Sequence, residues 1–205
     1  MYDYLFFDIA LGDPPYARAG GVLPRLLTET LAGTHGEIRG LFVSQLGWAN
    51  TQAAALIAWP RNEDGREAAF AKLDGDTRLA SLRIDKLTPT VRPASDDPPA
   101  PGGIYVHRWF HIRADAMSEF VALSAEGWMD FEARFDARIY GLFSAERSDE
   151  DLDAGVLRML LLTRYGDHGI WETSRDPSTE AMKAFARRQA LTRTTSAASS
   201  LLITP

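Results

Sequence analysis

His107 and His111 stand four residues apart in the run Tyr105-Val106-His107-Arg108-Trp109-Phe110-His111. On a helix that spacing would let both imidazoles hold one metal ion. The segment is rich in β-branched and aromatic residues, which predicts a strand instead. Four strand residues span about 13 Å, too far for two nitrogens to reach one ion at about 2 Å. No metal site is therefore expected. Imidazole titrates near neutral pH, so His107 and His111 are the candidate catalytic bases if the protein is an enzyme. One histidine as the axial ligand of a haem stays open, although no cofactor is expected. Arg164 offers a planar fork to an anionic or carbonyl group, with pairing to Asp167 or Glu172 as the structural alternative. His35 reads as a helix-end residue and His168 as a loop residue.

Other chemistries are excluded by what the chain lacks. It has 205 residues and no cysteine, which removes disulfides, thiolate metal sites, iron–sulfur clusters and thiol catalysis. No Gly-x-Ser-x-Gly elbow frames a nucleophile, and no phosphate-binding glycine loop is present; Gly20-Gly21 alone reads as a turn. The formal charge of −6, with arginines dispersed among acids, disfavours a nucleic-acid face. The apolar runs are too short to cross a bilayer, and the N-terminal residues lack the pattern of a signal peptide. A cytoplasmic protein with no membrane partner is the expectation.

Elements must hold these residues in place, and an internal repeat supplies their plan. Ile38-Arg39-Gly40-Leu41-Phe42 recurs as Ile139-Tyr140-Gly141-Leu142-Phe143, and Tyr2, Phe7 and Ile9 recur as Tyr105, Phe110 and Ile112. Leu56-Ile57 is matched to Leu161-Leu162, and Leu87-Thr88-Pro89 to Ile203-Thr204-Pro205. Each copy reads as β-α-β-β-α-β. In the first, the elements fall over 2–11, 22–33, 37–46, 51–59, 66–73 and 82–92. In the second, a strand over 104–113 precedes a helix that Asp115 is expected to cap, with Phe120, Leu123, Trp128 and Phe131 in its apolar stripe. Strands follow over 137–146 and 155–165, separated by an acidic turn at 148–153. Asp176-Pro177 is expected to start another helix, with Met182 and Phe185 on its buried side, and a strand near 199–204 ends the copy.

The stretch 93–103 holds four prolines and two glycines and reads as a linker. The expected organisation is a module over 1–92, a linker over 93–103 and a module over 104–205. The fold class is α+β: two tandem ferredoxin-like β-α-β-β-α-β modules whose antiparallel sheets pair into an α/β barrel. Pairing within one chain and pairing between two chains, as a homo-dimer, are both open.

Strand alternation sorts the side chains. Ile104, Val106, Phe110 and Ile112 form a helix-facing row, with Arg108 as its exception; Tyr105, His107, Trp109 and His111 form the other row. In the first module Leu5, Phe7 and Ile9 face the helices, while Tyr2, Tyr4, Phe6 and Asp8 face away. Aromatic rows with polar tips predict a small-molecule site between the sheets. Its ligand-binding residues would be Tyr4, Asp8, Tyr105, His107, Trp109, His111 and Arg164. The alternative is a solid inter-sheet core.

The segments His107-Arg108-Trp109-Phe110-His111-Ile112, Glu119 to Ser124, Gly127-Trp128, Gly141-Leu142-Phe143, Leu161 to Tyr165 and Trp171 to Arg175 resemble a NIPSNAP-type domain. The resemblance covers about 104–188, and the first module looks like a diverged copy. It implies membership of the dimeric α/β-barrel superfamily, which includes cofactor-independent monooxygenases, isomerases and haem-dependent members. No catalytic set carries over residue by residue. Three functions follow as expectations: a protein that binds a small hydrophobic or aromatic molecule, a cofactor-independent monooxygenase or isomerase, and a non-catalytic protein-interaction scaffold.

Overall fold

The computed structural model describes residues 1–10, 19–60, 63 and 65–203. The chain divides into two compact units, one of Met1–Leu87 with the residues from Ser199 onward, the other of Thr88–Ala198. Both carry the β-α-β-β-α-β order of a ferredoxin-like module, and the fold class is α+β. The Thr204-Pro205 part of the last repeat match lies outside the described residues, as does Leu11 at the end of the first expected strand.

The first unit contains β1 (Tyr2–Ile9), α1 (Ala19–Leu31), β2 (Glu37–Leu46), β3 (Gln52–Ala58), α2 (Arg66–Asp74) and most of β4 (Leu79–Pro89). Antiparallel ladders join β1 to both β3 and β4, and β2 to β3. Leu23, Leu26, Leu27 and Leu31 share one side of α1 and are buried against Leu5, Phe7 and Ile57 of the sheet. Gly20 and Gly21 lie inside the first turn of α1 rather than in a turn of their own. A Cβ on Gly20 would lie 2.9 Å from Ile203, so close packing accounts for that glycine.

The second unit contains β5 (Ile104–Arg113), α3 (Met117–Arg134), β6 (Ala137–Ala145), α4 (Asp149–Asp153), β7 (Val156–Tyr165), α5 (His168–Thr173), α6 (Glu180–Gln189) and the start of β8 (Thr192–Ile203). β7 lies between β5 and β6. The residues after β4 run along β6, where the Thr90 amide donates to the Leu142 carbonyl at 2.9 Å. The expected helix-facing row is in the core: Ile104, Val106, Phe110 and Ile112 pack with Phe120, Trp128 and Phe131 of α3. A Cβ on Gly127 would lie 2.5 Å from the Phe185 ring, so glycine there lets α6 lie close on α3.

Several local expectations are corrected. Asp115 does not cap α3: its carboxylate accepts from Arg113 at 3.1 Å, and a 3-10 turn, Ala114–Ala116, leads into the helix. Asp176 accepts from the Ser178 amide at 2.9 Å, which places Pro177 in a turn; Thr179 caps α6 and accepts from Met182 at 3.2 Å. The acidic turn contains the short helix α4, held by a capping box between Ser148 and Asp151. His168 opens α5 rather than lying in a loop, because the Asp167 side chain caps that helix. The last strand starts at Thr192, well before 199, and its final residues pair with β2. Its Thr-, Ser- and Ala-rich sequence has no apolar alternation to mark it.

Register also moves one repeat match by a residue. Tyr4 pairs with Leu56 and His107 with Leu162, while Ile38 pairs with Ile57 and Ile139 with Thr163. Leu56-Ile57 therefore corresponds to Leu162-Thr163, not to Leu161-Leu162. The recurrent Gly-Leu-Phe has a physical cause. β2 is bulged between Ile38 and Gly40, and β6 between Ile139 and Gly141. In each case a Cβ on the glycine would lie 2.6 Å from the ring of Phe42 or Phe143.

Candidate functional site

Each expected site residue has a definite place within its own unit. Arg108 lines a cavity on the helix side of the second unit. By alternation its neighbours on β5, Tyr105, His107, Trp109 and His111, point the other way. His107 is buried, and burial pushes its pKa down to about 3, so the imidazole stays neutral. His111 is half-buried. Trp109 lies under the Arg158 guanidinium at 5.7 Å. In the first unit Tyr4 is buried, and Asp8 accepts from Gln52 at 3.2 Å.

Tyr105 and Arg164 do meet, beside the proline-rich stretch, at a cavity of about 330 Å³ also lined by Arg92, Pro98, Arg138 and Tyr140. Their polar ends are engaged. The Tyr105 hydroxyl donates to the Ala100 carbonyl, and Arg164 donates to Asp136 at 2.8 Å and to the Gly102 carbonyl at 3.2 Å. The ion-pair partner of Arg164 is thus Asp136, not Asp167 or Glu172. Burial pushes the Tyr105 phenol well above its ordinary range.

The helix-side cavity, of about 320 Å³, is lined by the sheet and the helices of the second unit. Period-two alternation brings Leu161, Thr163 and Tyr165 of β7 to its floor beside Arg108. Phe131 of α3 and Met182, Phe185 and Arg188 of α6 supply its walls, and Trp171, Ser174 and Arg175 come from α5 and the residues after it. The lining is mostly aromatic and aliphatic. It includes three arginines and, among the described residues, no Asp or Glu.

Arg188 is 6% exposed. Its guanidinium lies over the rings of Phe185, Phe110 and Phe120 at 4.6, 4.8 and 5.4 Å. Such contacts contribute about 0.5–2 kcal/mol each, in partial replacement of hydration. Its hydrogen bond to Ser124 is long, at 3.2 Å, and Nε has no hydrogen-bond partner among the described residues. Burial, with repulsion from Arg108 second, pushes its pKa down to about 9. The pKa of Arg108 is also lowered, first by burial and then by Arg175, with Tyr165 opposing. Arg175 stacks on Trp171 at 4.9 Å, and the buried Nε1 of that Trp171 has no hydrogen-bond partner among the described residues. Burial raises the pKa of Tyr165, and the Ser174 hydroxyl donates to the Trp171 carbonyl at 2.8 Å.

Sequence reasoning misses Arg108 and Arg188 as site residues, although two signals point to them. Arg108 interrupts an apolar strand row, and Arg188 follows Met182 and Phe185 at intervals of three on the cavity side of α6. Among the described residues no histidine lines this cavity, so the residues present do not supply a haem there with an axial imidazole. Among the described residues, no cluster of three or more His, Cys, Asp or Glu gathers at a metal-binding spacing. No described helix is long and apolar enough to cross a membrane.

No family model matches the sequence, and no curated protein matches it. Solved structures do. An anthrone oxidase-like protein superposes with a TM-score of 0.67 at 14% identity, covering 99% of this chain and 91% of that one. A protein of Fusobacterium nucleatum with a provisional monooxygenase name gives a TM-score of 0.59 at 9% identity, over 99% and 92%. A mutant chlorite dismutase of Candidatus Nitrospira defluvii gives 0.58 at 8% identity, over 99% and 92%. At these identities the likeness is one of fold: the structures this chain resembles are ferredoxin-like, dimeric α/β-barrel proteins.

Proposed function

We propose that this protein binds a small, largely apolar molecule in the helix-side cavity of its second unit. The observation that carries this reading is the cavity itself, about 320 Å³ walled by Phe131, Leu161, Trp171, Met182 and Phe185, with a few polar groups converging on it. Ligand sites have that composition: apolar walls with a small number of polar atoms that fix orientation. Two of the similar structures are named for small molecules, anthrone and chlorite. We also read the chain as a tandem repeat, which the equivalent bulges of β2 and β6 support, and as NIPSNAP-like, which the sequence segments of the second module alone support.

The test is a fluorescence titration with the uncharged probe N-phenylnaphthylamine. Ala186 lines the cavity yet is exposed, so Ala186→Trp should block the space without disturbing the core. Saturable binding that Ala186→Trp abolishes supports the proposal; binding of the same strength in that variant rejects it.

A second reading, a cofactor-independent monooxygenase, draws on the anthrone oxidase-like neighbour. It predicts dioxygen consumption with anthrone and no added metal or flavin, lost in His111→Ala. Burial opposes protonation of His107, which makes it a poor general base. On α3 the scaffold alternative draws on Met129, a strongly exposed apolar residue, and single exposed apolar residues are ordinary.

A further inference from the structure

Resting on that small-molecule reading, we infer that the ligand of the helix-side cavity is an organic anion, an aromatic or aliphatic body whose carboxylate or sulfonate is held by Arg108 and Arg188. Neither arginine forms an ion pair among the described residues, and no described carboxylate lines the cavity. Elsewhere in the chain a buried charge is matched: Asp3, 0% exposed, accepts from both Nε and Nη2 of Arg66 at 2.7 Å. A guanidinium has five N–H donors and no acceptor. Arg188 uses one of them on Ser124, whose own hydroxyl proton goes to the Phe120 carbonyl at 2.7 Å, and leaves Nε without a hydrogen-bond partner among the described residues. Moving a cation out of water is costly unless it is paired, and the three phenylalanine faces offset only part of that. Two such cations beside one cavity repel each other. A neutral ligand would leave that repulsion in place; an anion removes it and accepts the idle N–H groups.

The rest of the lining sets the remainder of the ligand. Phe131, Leu161, Met182 and Phe185 offer no hydrogen bonds, so the body of the molecule is apolar. Thr163, Tyr165 and Trp171 stand where a second oxygen could be met, which favours a hydroxy- or keto-acid over a plain fatty acid. The charged and titratable groups at the cavity are Arg108 from β5, Tyr165 from β7, Arg175 after α5 and Arg188 from α6.

A matched pair of probes separates this inference from the reading beneath it. Anilinonaphthalene sulfonate and N-phenylnaphthylamine share one aromatic body and differ by the sulfonate. The wild-type chain should bind the sulfonate at least about tenfold more tightly than its uncharged parent, the scale of a charge-assisted contact. Arg188→Gln and Arg108→Gln should each remove most of that preference, while the uncharged probe loses little. Ala186→Trp should abolish both. Equal affinity for the two probes, or variants that weaken both equally, overturns the anion assignment while leaving the cavity reading intact. Binding of neither probe, or binding insensitive to Ala186→Trp, overturns both. If Arg188→Gln does not fold, Arg108→Gln decides, since Arg108 is only partly buried.

Discussion

The helix-facing layers of the two units occupy equivalent register positions and solve the problem of buried polarity in opposite ways. Leu5 pairs with Ala55 in the first unit where Arg108 pairs with Leu161 in the second, and Ile57 stands where Thr163 does. In the first unit Leu5 and Ile57 are fully buried among the leucines of α1. The buried acid there, Asp3, is satisfied by Arg66 and by Trp59 Nε1 at 2.8 Å. The second unit has Val106 at the position of Asp3 and an arginine at the position of Leu5. At one layer of a shared fold it thus lacks the acid and carries a cation instead. The first layer closes its charges internally; the second leaves them facing a cavity. The proposed anion site rests on that difference, because a stable fold does not require a partly buried guanidinium without an ion pair.

The most disruptive way to break the comparison is to open the closed side. Asp3→Ala should cost about 3–5 kcal/mol, since it removes the bidentate carboxylate of Arg66 and the acceptor of a buried indole N–H; urea denaturation checks it, and a cost near zero would mean that the pair is not structural. Acid probes the opposite face of β5. Burial depresses the His107 pKa to about 3, so the unfolded chain takes up a proton below its ordinary pKa of about 6.5 while the folded chain does not. Stability should therefore be insensitive to this group above about pH 6.5 and fall by about 2–3 kcal/mol near pH 4.5. His107→Gln should flatten that part of the pH profile, and an unchanged slope would assign it to other groups.

A symmetric perturbation sharpens what the units share. Gly40→Ala and Gly141→Ala each force a Cβ to within 2.6 Å of a phenylalanine ring. Each should cost about 1–3 kcal/mol, as overpacking does, and strongly unequal losses in thermal or urea unfolding would show that the two bulges are not equivalent. The smallest expected effect has the opposite sign. Arg108→Leu installs in the second unit the residue that the first already uses, and should raise stability by about 1 kcal/mol while weakening sulfonate-probe binding. A loss of stability would mean that Arg108 is a structural residue.

Whatever depends on neighbours in sequence can be read from the chain. The β-α-β-β-α-β plan apart from its last strand, the α+β class, the apolar row of Ile104, Val106, Phe110 and Ile112, and the stripe of α3 follow from periods of two and 3.6, which are local properties; the short helices α4 and α5 and the start of β8 do not. Caps are harder. Asp115 and Asp176 are good capping residues by type, but Arg113 and the Ser178 amide compete for them, and short-range competition of that kind is not visible in residue identity.

The candidate site is decided by packing. Tyr105, expected from strand alternation, and Arg164, expected from its planar fork near a strand end, share a cavity because β5 and β7 place them opposite each other. No sequence pattern joins Arg108 to Arg188, since one is on β5 and the other on α6, and only the docking of that helix against the sheet brings both to one cavity. Burial, and the electrostatic demand that follows from it, belongs to the space around a charge rather than to the residue that carries it. A sequence can show that an arginine interrupts an apolar row, but whether water or carboxylates surround it is set by elements far along the chain.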